Sequence, residues 1–326
     1  MDRREKVKAP GRKAATAAAL CLALAAAVLF SAALASAQGL MILAKKVAGD
    51  LPSEASAPAW GEAEAVEVPL AAQVMAIPRQ YEPSVEKLDV RALHNSKEIA
   101  FLVRWRDATR DSLVDLDSFS DALALEFPSS GDASGPHFAM GDEENAVNIW
   151  YWKAAWQEEA GKGREPSNEE GYSPRFFTDE RGLFLDDFQP GALAGNPVSA
   201  PGRPPVETLV ARGFGSATDM DKSDGRGVEG GGIWQSGGWA VVMKRAMAAG
   251  DKYDAAFSEG GVTPVSFAVW NGADGQRGGV KAVSTWYYVG LETEEKMTTY
   301  IYPMLAFAGA VGLELAIIMW IRKRRA

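Results

Sequence analysis

Residues 90–106 read V-R-A-L-H-N-S-K-E-I-A-F-L-V-R-W-R. Val90 and Ala92, then Ile99, Phe101, Val103 and Trp105, fall on alternate positions on either side of His94-Asn95-Ser96-Lys97. Side chains of a strand leave on alternate faces, so the pattern predicts a hairpin with a polar turn and one buried face. His94, in that turn, is expected to be exposed. The same reading extends outward to strands over 65–76, 121–127, 146–156, 238–247, 264–270 and 280–291. Between about 49 and 295 no segment repeats every 3.6 residues, and Gly, Pro and Asp punctuate the short runs. The expected fold is mainly β, an antiparallel β-sandwich with few helices. Residues 157–174 and 190–205, rich in Gly and Pro, read as surface connections, and the glycine series Gly225 to Gly238 as a loop allowing close backbone approach.

The chain has 326 residues, 47% of them hydrophobic, and ten tryptophans, enough for one large core or two modest ones. Cys21 is the lone cysteine, so the folded part holds no disulfide, thiolate nucleophile, Cys-ligated cluster or covalent haem attachment. A net charge of −9 conceals two basic ends: Arg3, Arg4, Lys6, Lys8, Arg12 and Lys13 at the start, and Arg322 to Arg325 at the finish. What lies between is strongly acidic, which argues against nucleic acid as a partner.

Residues 14–44 carry no charge and contain Ala35-Ser36-Ala37 before Gln38. Behind a basic start this reads as an export signal: residues 1–37 are a signal peptide or, uncleaved, an N-terminal anchor. A second apolar run, 300–321, is closed by R-K-R-R and flanked by Tyr300, Tyr302 and Trp320. It matches a transmembrane helix, with residues 322–326 as a basic cytoplasmic tail and the main domain on the extracytoplasmic, periplasmic side. Glu314 within that run is a candidate for proton or quinone chemistry, or for a helix-packing contact.

The chemistry-bearing stretch is Pro136-His137-Phe138-Ala139-Met140-Gly141-Asp142, followed by the aromatic strand Val147-Asn148-Ile149-Trp150-Tyr151-Trp152-Lys153. Met140 could be core filler, or its thioether could be a soft ligand for haem iron. His137 is the competing ligand, although three residues from Met140 it cannot easily reach the opposite face of one haem.

A-G-D-L-P (48–52), P-A-W (58–60), V-R-A-L-H-N (90–95), F-L-V-R-W-R-D (101–107), F-A-M-G (138–141), V-N-I-W-Y-W-K-A (147–154) and F-A-V-W-N-G-A-D-G-Q-R-G-G-V-K-A-V-S-T-W (267–286) recur in the same order in one family. Over residues 47–291 the chain resembles the haem b-binding γ subunits of periplasmic molybdenum enzymes, such as ethylbenzene dehydrogenase, dimethylsulfide dehydrogenase, selenate reductase and chlorate reductase. The resemblance implies a β-sandwich holding one non-covalent haem b between an axial methionine and an axial lysine. The matching methionine is Met140; Lys281 in G-G-V-K-A-V-S is the best match for the lysine, with Lys244 the runner-up. A ligating lysine must lose its proton, which burial favours. His137 would then contact a propionate or the haem rim, Arg104, Arg106 and Arg245 are candidates to neutralise propionates, and Trp150, Trp152, Trp234, Trp239, Trp270 and Trp286 either line the pocket or, for most of them, fill the sandwich core.

The resemblance further implies an electron-transfer subunit rather than an enzyme. Electrons would pass between an iron-sulfur β subunit, attached to a molybdopterin α subunit, and a redox partner such as a cytochrome c or a quinone-linked membrane protein. The absence of a nucleophile-base constellation agrees with that. Two rivals stand beside it: a haem-free, membrane-tethered carbohydrate-type binding sandwich with tryptophans as stacking platforms, and a quinone-reactive haem enzyme using Glu314.

Overall fold

The computed structural model describes residues 40–114, 117–129, 140–161, 204–220 and 227–293. Both expected terminal segments, His137 and Glu314 lie outside them. Among the described residues, no helix is long and apolar enough to cross a membrane.

Among the described residues there are fourteen strands: β1 (Met41–Lys46), β2 (Val66–Pro69), β3 (Ala71–Ala72), β4 (Lys87–His94), β5 (Glu98–Arg106), β6 (Ala122–Pro128), β7 (Val147–Lys153), β8 (Val206–Ala211), β9 (Thr218–Asp219), β10 (Glu229–Trp234), β11 (Gly238–Ala246), β12 (Val262–Trp270), β13 (Ala282–Val283) and β14 (Tyr287–Leu291). A short helix, α1 (Ala154–Gly161), follows β7 directly. The strands hydrogen-bond in the order β10-β11-β5-β4-β1-β14-β12-β6-β7-β8-β9, with β2 on β4, and β13 between β12 and β3.

Two layers face one another across the core, but they are one hydrogen-bonded sheet. The join is β1, which pairs in parallel with both β14 and β4, where an antiparallel sheet was expected. Strand alternation carries no information about the direction of a partner, and β1 lies at the far end of the chain from β14. Ile42 and Ala44, inside the uncharged run 14–44, are wholly buried in this join.

The quoted hairpin is β4 and β5, in register from His94 opposite Ile99 to Asp89 opposite Arg104. Phe101, Val103 and Trp105 of β5 and Trp239, Val241 and Met243 of β11 form one side of the core. Leu123, Leu125 and Phe127 of β6 and Trp150 and Trp152 of β7 form the other. Their rings interlock: Phe127 and Trp150 lie 4.8 Å apart, Trp152 and Trp239 4.9 Å, and Phe101 meets Trp150 nearly edge-on. The hairpin's second face is buried as well. Leu93, Ala100 and Leu102 pack beneath Leu51, Trp60 and Ala63, because Ala100 and Leu102 are apolar where alternation called for polar residues. His94 is wholly buried rather than exposed, its Nδ1 accepting the Ser96 N–H.

Buried polar groups tie the layers together. The Asp121 carboxylate accepts the Gly272 N–H, the Trp239 indole N–H and the Asp111 N–H, thereby linking β6, β11 and the turn after β12. Burial pushes its pKa up to about 6. Arg245 and Asp254 form an ion pair away from water, with Asn148 accepting from both Arg245 and the Trp150 indole.

At the sheet's far edge, the glycine-rich segment is a strand. β10 can lie against Trp152 because Gly232 has no side chain: a Cβ there would stand 2.6 Å from the Trp152 ring. The Gln157 amide of α1 bonds both the N–H and the C=O of Gly232 at 2.5 Å, extending the hydrogen bonding past the last strand. The sheet thereby becomes nearly barrel-like. Gly232→Ala should destabilise the protein by about 1–3 kcal/mol through overpacking, with the loss read from chemical denaturation, whereas Gly231→Ala, where the nearest atom is the Gln157 oxygen at an ordinary contact distance of 3.4 Å, should change little.

Candidate cofactor site

The second layer has an outer face. Where β6 sends Leu123, Leu125 and Phe127 inward, it sends Ala124 and Glu126 outward; β7 likewise turns Ile149 and Tyr151 outward, and β12 Ser266, Ala268 and Trp270. Leu209 of β8 and Val283 of β13 border the same face. Ala124 and Ala268 are small where the inner face is aromatic, and the space they leave is a cavity of about 260 Å³. Met140 and Lys281 both line it.

Met140 sits there through its backbone. It and Gly141 have φ of 71° and 73°, two successive left-handed residues. Gly141 must be glycine, since a Cβ would lie 2.5 Å from the Asn145 carbonyl oxygen. The Asp142 carboxylate closes the turn by accepting the Glu144 and Asn145 N–H groups. The Met140 carbonyl accepts the Gly213 N–H at 2.8 Å, and the Met140 N–H is bonded to Glu126.

Lys281 arrives from the opposite side on the Gly278-Gly279-Val280-Lys281 turn. The Trp270 indole N–H holds the Gly278 carbonyl at 3.0 Å, and the Gln73 N–H holds the Lys281 carbonyl at 2.9 Å. Its side chain is 7% exposed, and Nζ lies 4.9 Å from the centre of the Trp270 ring. Burial lowers its pKa, and the nearby Glu126 charge opposes that shift. Glu126 is driven the other way: burial pushes its pKa up to about 8 against the pull of Lys281 and the Met140 N–H. Its Oε1 has no hydrogen-bond partner. Both groups are thus moved toward their uncharged forms in a mostly apolar cavity. A neutral amine and a thioether are donors suited to a soft or intermediate metal such as haem iron.

The other expected site residues lie elsewhere. Trp150 belongs to the central aromatic core, because alternation turns it away from Ile149 and Tyr151. Arg104 donates to the Ala55 carbonyl and lines a second, more polar cleft with Lys87, Asp89 and Trp239. Arg245 is held in its buried pair with Asp254. Lys244 pairs across strands with Glu229 at 3.3 Å and does not line the cavity. Of the tryptophans that were candidates for the pocket, Trp270 lines the cavity, while sequence reasoning missed Glu126, Tyr151 and Phe214. Glu126 had a signal, a lone carboxylate within the otherwise apolar A-L-A-L-E-F.

Comparison with known proteins places this geometry. The model of the ethylbenzene dehydrogenase family matches residues 57–282. The chain belongs to that family. The matched span contains both Met140 and Lys281 and bears out the resemblance read from the motifs. Among curated relatives, a protein named as a respiratory nitrate reductase heme subunit, from Haloferax mediterranei, is 26% identical over 85% of this chain and 83% of its own length. The chlorate reductase subunit gamma of Ideonella dechloratans is 26% identical over 81% and 92%. The dimethylsulfide dehydrogenase subunit gamma of Rhodovulum sulfidophilum is 30% identical over 61% and 58%. Among solved structures, a family 9 carbohydrate-binding module from Caldicellulosiruptor kristjanssonii aligns with 79% of this chain and 99% of its own, at 8% identity and a TM-score of 0.39. That likeness is too slight to bear on function.

In this member of the ethylbenzene dehydrogenase family, the raised Glu126 pKa has a measurable consequence. Between the ordinary glutamate pKa of about 4.5 and about 8, the native protein without cofactor holds a proton that the unfolded chain has released. Its stability relative to Glu126→Gln should therefore fall as pH rises through that window. Denaturation of both proteins across the window tests this, and a pH-independent difference would contradict it.

Proposed function

We propose that this chain is the haem b electron-transfer subunit of a molybdopterin oxidoreductase complex, with Met140 Sδ and Lys281 Nζ as the protein atoms that would hold the iron. The observation that carries the reading is the meeting of these two residues, distant in sequence, in one cavity where burial favours the neutral amine. The donor set fits haem, and Ala124, Ala268, Gly215 and Gly279 keep side-chain bulk low in the lining, as a flat macrocycle would need. The heme-subunit name of the Haloferax relative and the gamma-subunit names of the other two support it.

When bound, haem supplies one-electron exchange between ferric and ferrous iron. The protein's part is positioning and electrostatics. The left-handed turn at Met140 presents a neutral sulfur, which favours the ferrous state. Lys281 would hold the iron as the free amine, and Glu126, with its Oε1 free of hydrogen bonds, could keep the proton that the amine gives up. The apolar lining keeps water away, which preserves the neutral amine and raises the potential further. The chain's own function is relay rather than catalysis.

Within this reading the domain is exported and tethered. Residues 1–37 direct it across the membrane, 300–321 anchor it, and the haem domain works on the periplasmic side. Its partners are an iron-sulfur β subunit and, through it, a molybdopterin α subunit. The net charge of −9 suits a basic soluble cytochrome c on the other side, with a quinone-linked membrane protein as the alternative.

Absorption spectra of the detergent-purified full chain, oxidised and dithionite-reduced, test the proposal. The wild type should show the bands of a six-coordinate, low-spin b-type haem, and both Met140→Ala and Lys281→Ala should lose that low-spin character. Met140→Ala should also lower the midpoint potential. A colourless protein after haem-replete expression would overturn the haem reading, and spectra insensitive to Lys281→Ala would remove the lysine as ligand.

A further inference from the structure

One residue of the cavity wall stands apart from the strands. Arg212-Gly213-Phe214-Gly215-Ser216 follows β8, and its two glycines have φ of 123° and 82°, conformations that hold Phe214 out between them. Phe214 is 41% exposed, a large apolar side chain left partly in water, yet it also lines the cavity. Its ring reaches the opposite rim. A Cβ on Gly279 would lie 2.6 Å from Phe214 Cζ and 2.7 Å from the Ala76 methyl. Gly279 is glycine because the ring lies across it, two residues before Lys281.

The base of this loop is fixed. Ser216 Oγ donates to the Gly213 carbonyl and accepts the Arg212 N–H, both at 2.7 Å, and the Arg212 guanidinium donates to the Tyr253 hydroxyl. The Gly213 N–H is the group that donates to the Met140 carbonyl. A single phenyl ring therefore spans from a loop bonded to the Met140 turn across to the turn that carries Lys281. We propose that Phe214 is the shield of the cavity, and that its ring sets how fast water and small molecules reach the Met140 sulfur and the Lys281 amine. Its effect on iron rests on the haem reading above; its effect on access to Lys281 does not.

The test uses the full-length protein in two arms. In the first, haem-free wild type, Phe214→Ala and Phe214→Trp are treated with sulfosuccinimidyl acetate, and acetylation of Lys281 is followed by peptide mass spectrometry, with exposed Lys97 as the internal reference. Phe214→Ala should label Lys281 roughly tenfold faster, because water and reagent are no longer excluded, while Phe214→Trp stays near wild type and Lys97 is unchanged. Labelling of Lys281 in Phe214→Ala within about twofold of wild type would overturn the shield, since exclusion is its whole effect. So would a rise accompanied by faster amide exchange across β6 and β12, which would trace it to loosened packing.

In the second arm, carbon monoxide is mixed with haem-loaded, reduced Met140→Ala, whose iron would have an open position, with and without Phe214→Ala. Adding Phe214→Ala should speed binding roughly tenfold at unchanged haem content. Faster Lys281 labelling in a protein that takes up no haem would sustain the shield and sink the haem reading. Haem present with labelling and carbon monoxide rates both unchanged would do the reverse.

Discussion

Because successive side chains of a strand leave on opposite faces, β6, β7 and β12 each build two environments from one run of sequence. Inward, Leu123, Leu125, Phe127, Trp150, Trp152 and Phe267 lock the two layers together. Outward, Ala124, Ile149, Tyr151, Ala268 and Trp270 shape the cavity. The aromatic core fixes the register of those strands, and the register fixes the cavity floor. A one-residue slip of β7 would send Tyr151 into the core and Trp150 into the site. The rigidity that Met140 and Lys281 would need to hold a metal is thus supplied by the opposite face of the sheet.

The floor alone would be an unremarkable apolar depression. Its chemistry comes from two turns at opposite rims, both of which depend on glycine. Gly141 permits the left-handed corner that presents Met140, and Gly278 and Gly279 bring the Lys281 turn in under Phe214. Between them lie a lysine and a glutamate that the interior drives toward neutrality. Burying ionisable groups lowers stability, and such groups are seldom kept for structure alone. In the proposed haem site the same burial would leave Lys281 a neutral donor, so that what weakens the fold would make the site.

The central hairpin was legible because its large apolar residues fall on alternate positions on either side of a polar turn that carries Asn95 and Ser96. β6, β7, β11 and β12 were legible as short apolar runs between Gly, Pro and Asp breaks. β1 was hidden inside the uncharged run 14–44, which composition cannot divide into a leader and a strand. β10 was hidden because Gly230 to Gly232 look like a loop unless the opposing Trp152 is known. Parallel pairing of β1 with β14 and β4 is a long-range property that no local period encodes. Of the site, Met140 and Lys281 came from the motif resemblance and not from spacing. Trp150 was assigned to the pocket although its neighbour Tyr151 is the residue there, a parity that depends on knowing which face the core takes. Phe214 carries no signal beyond the two glycines beside it.

In the proposed haem site a thioether and an amine would share one iron. Near-infrared magnetic circular dichroism of the oxidised full-length protein reads that pair directly, since the energy of the porphyrin-to-iron charge-transfer band follows the donor strength of the ligating atoms. A low-spin ferric band of methionine–amine ligation is the expected result. A band belonging to two nitrogen donors, or a high-spin spectrum, would contradict it.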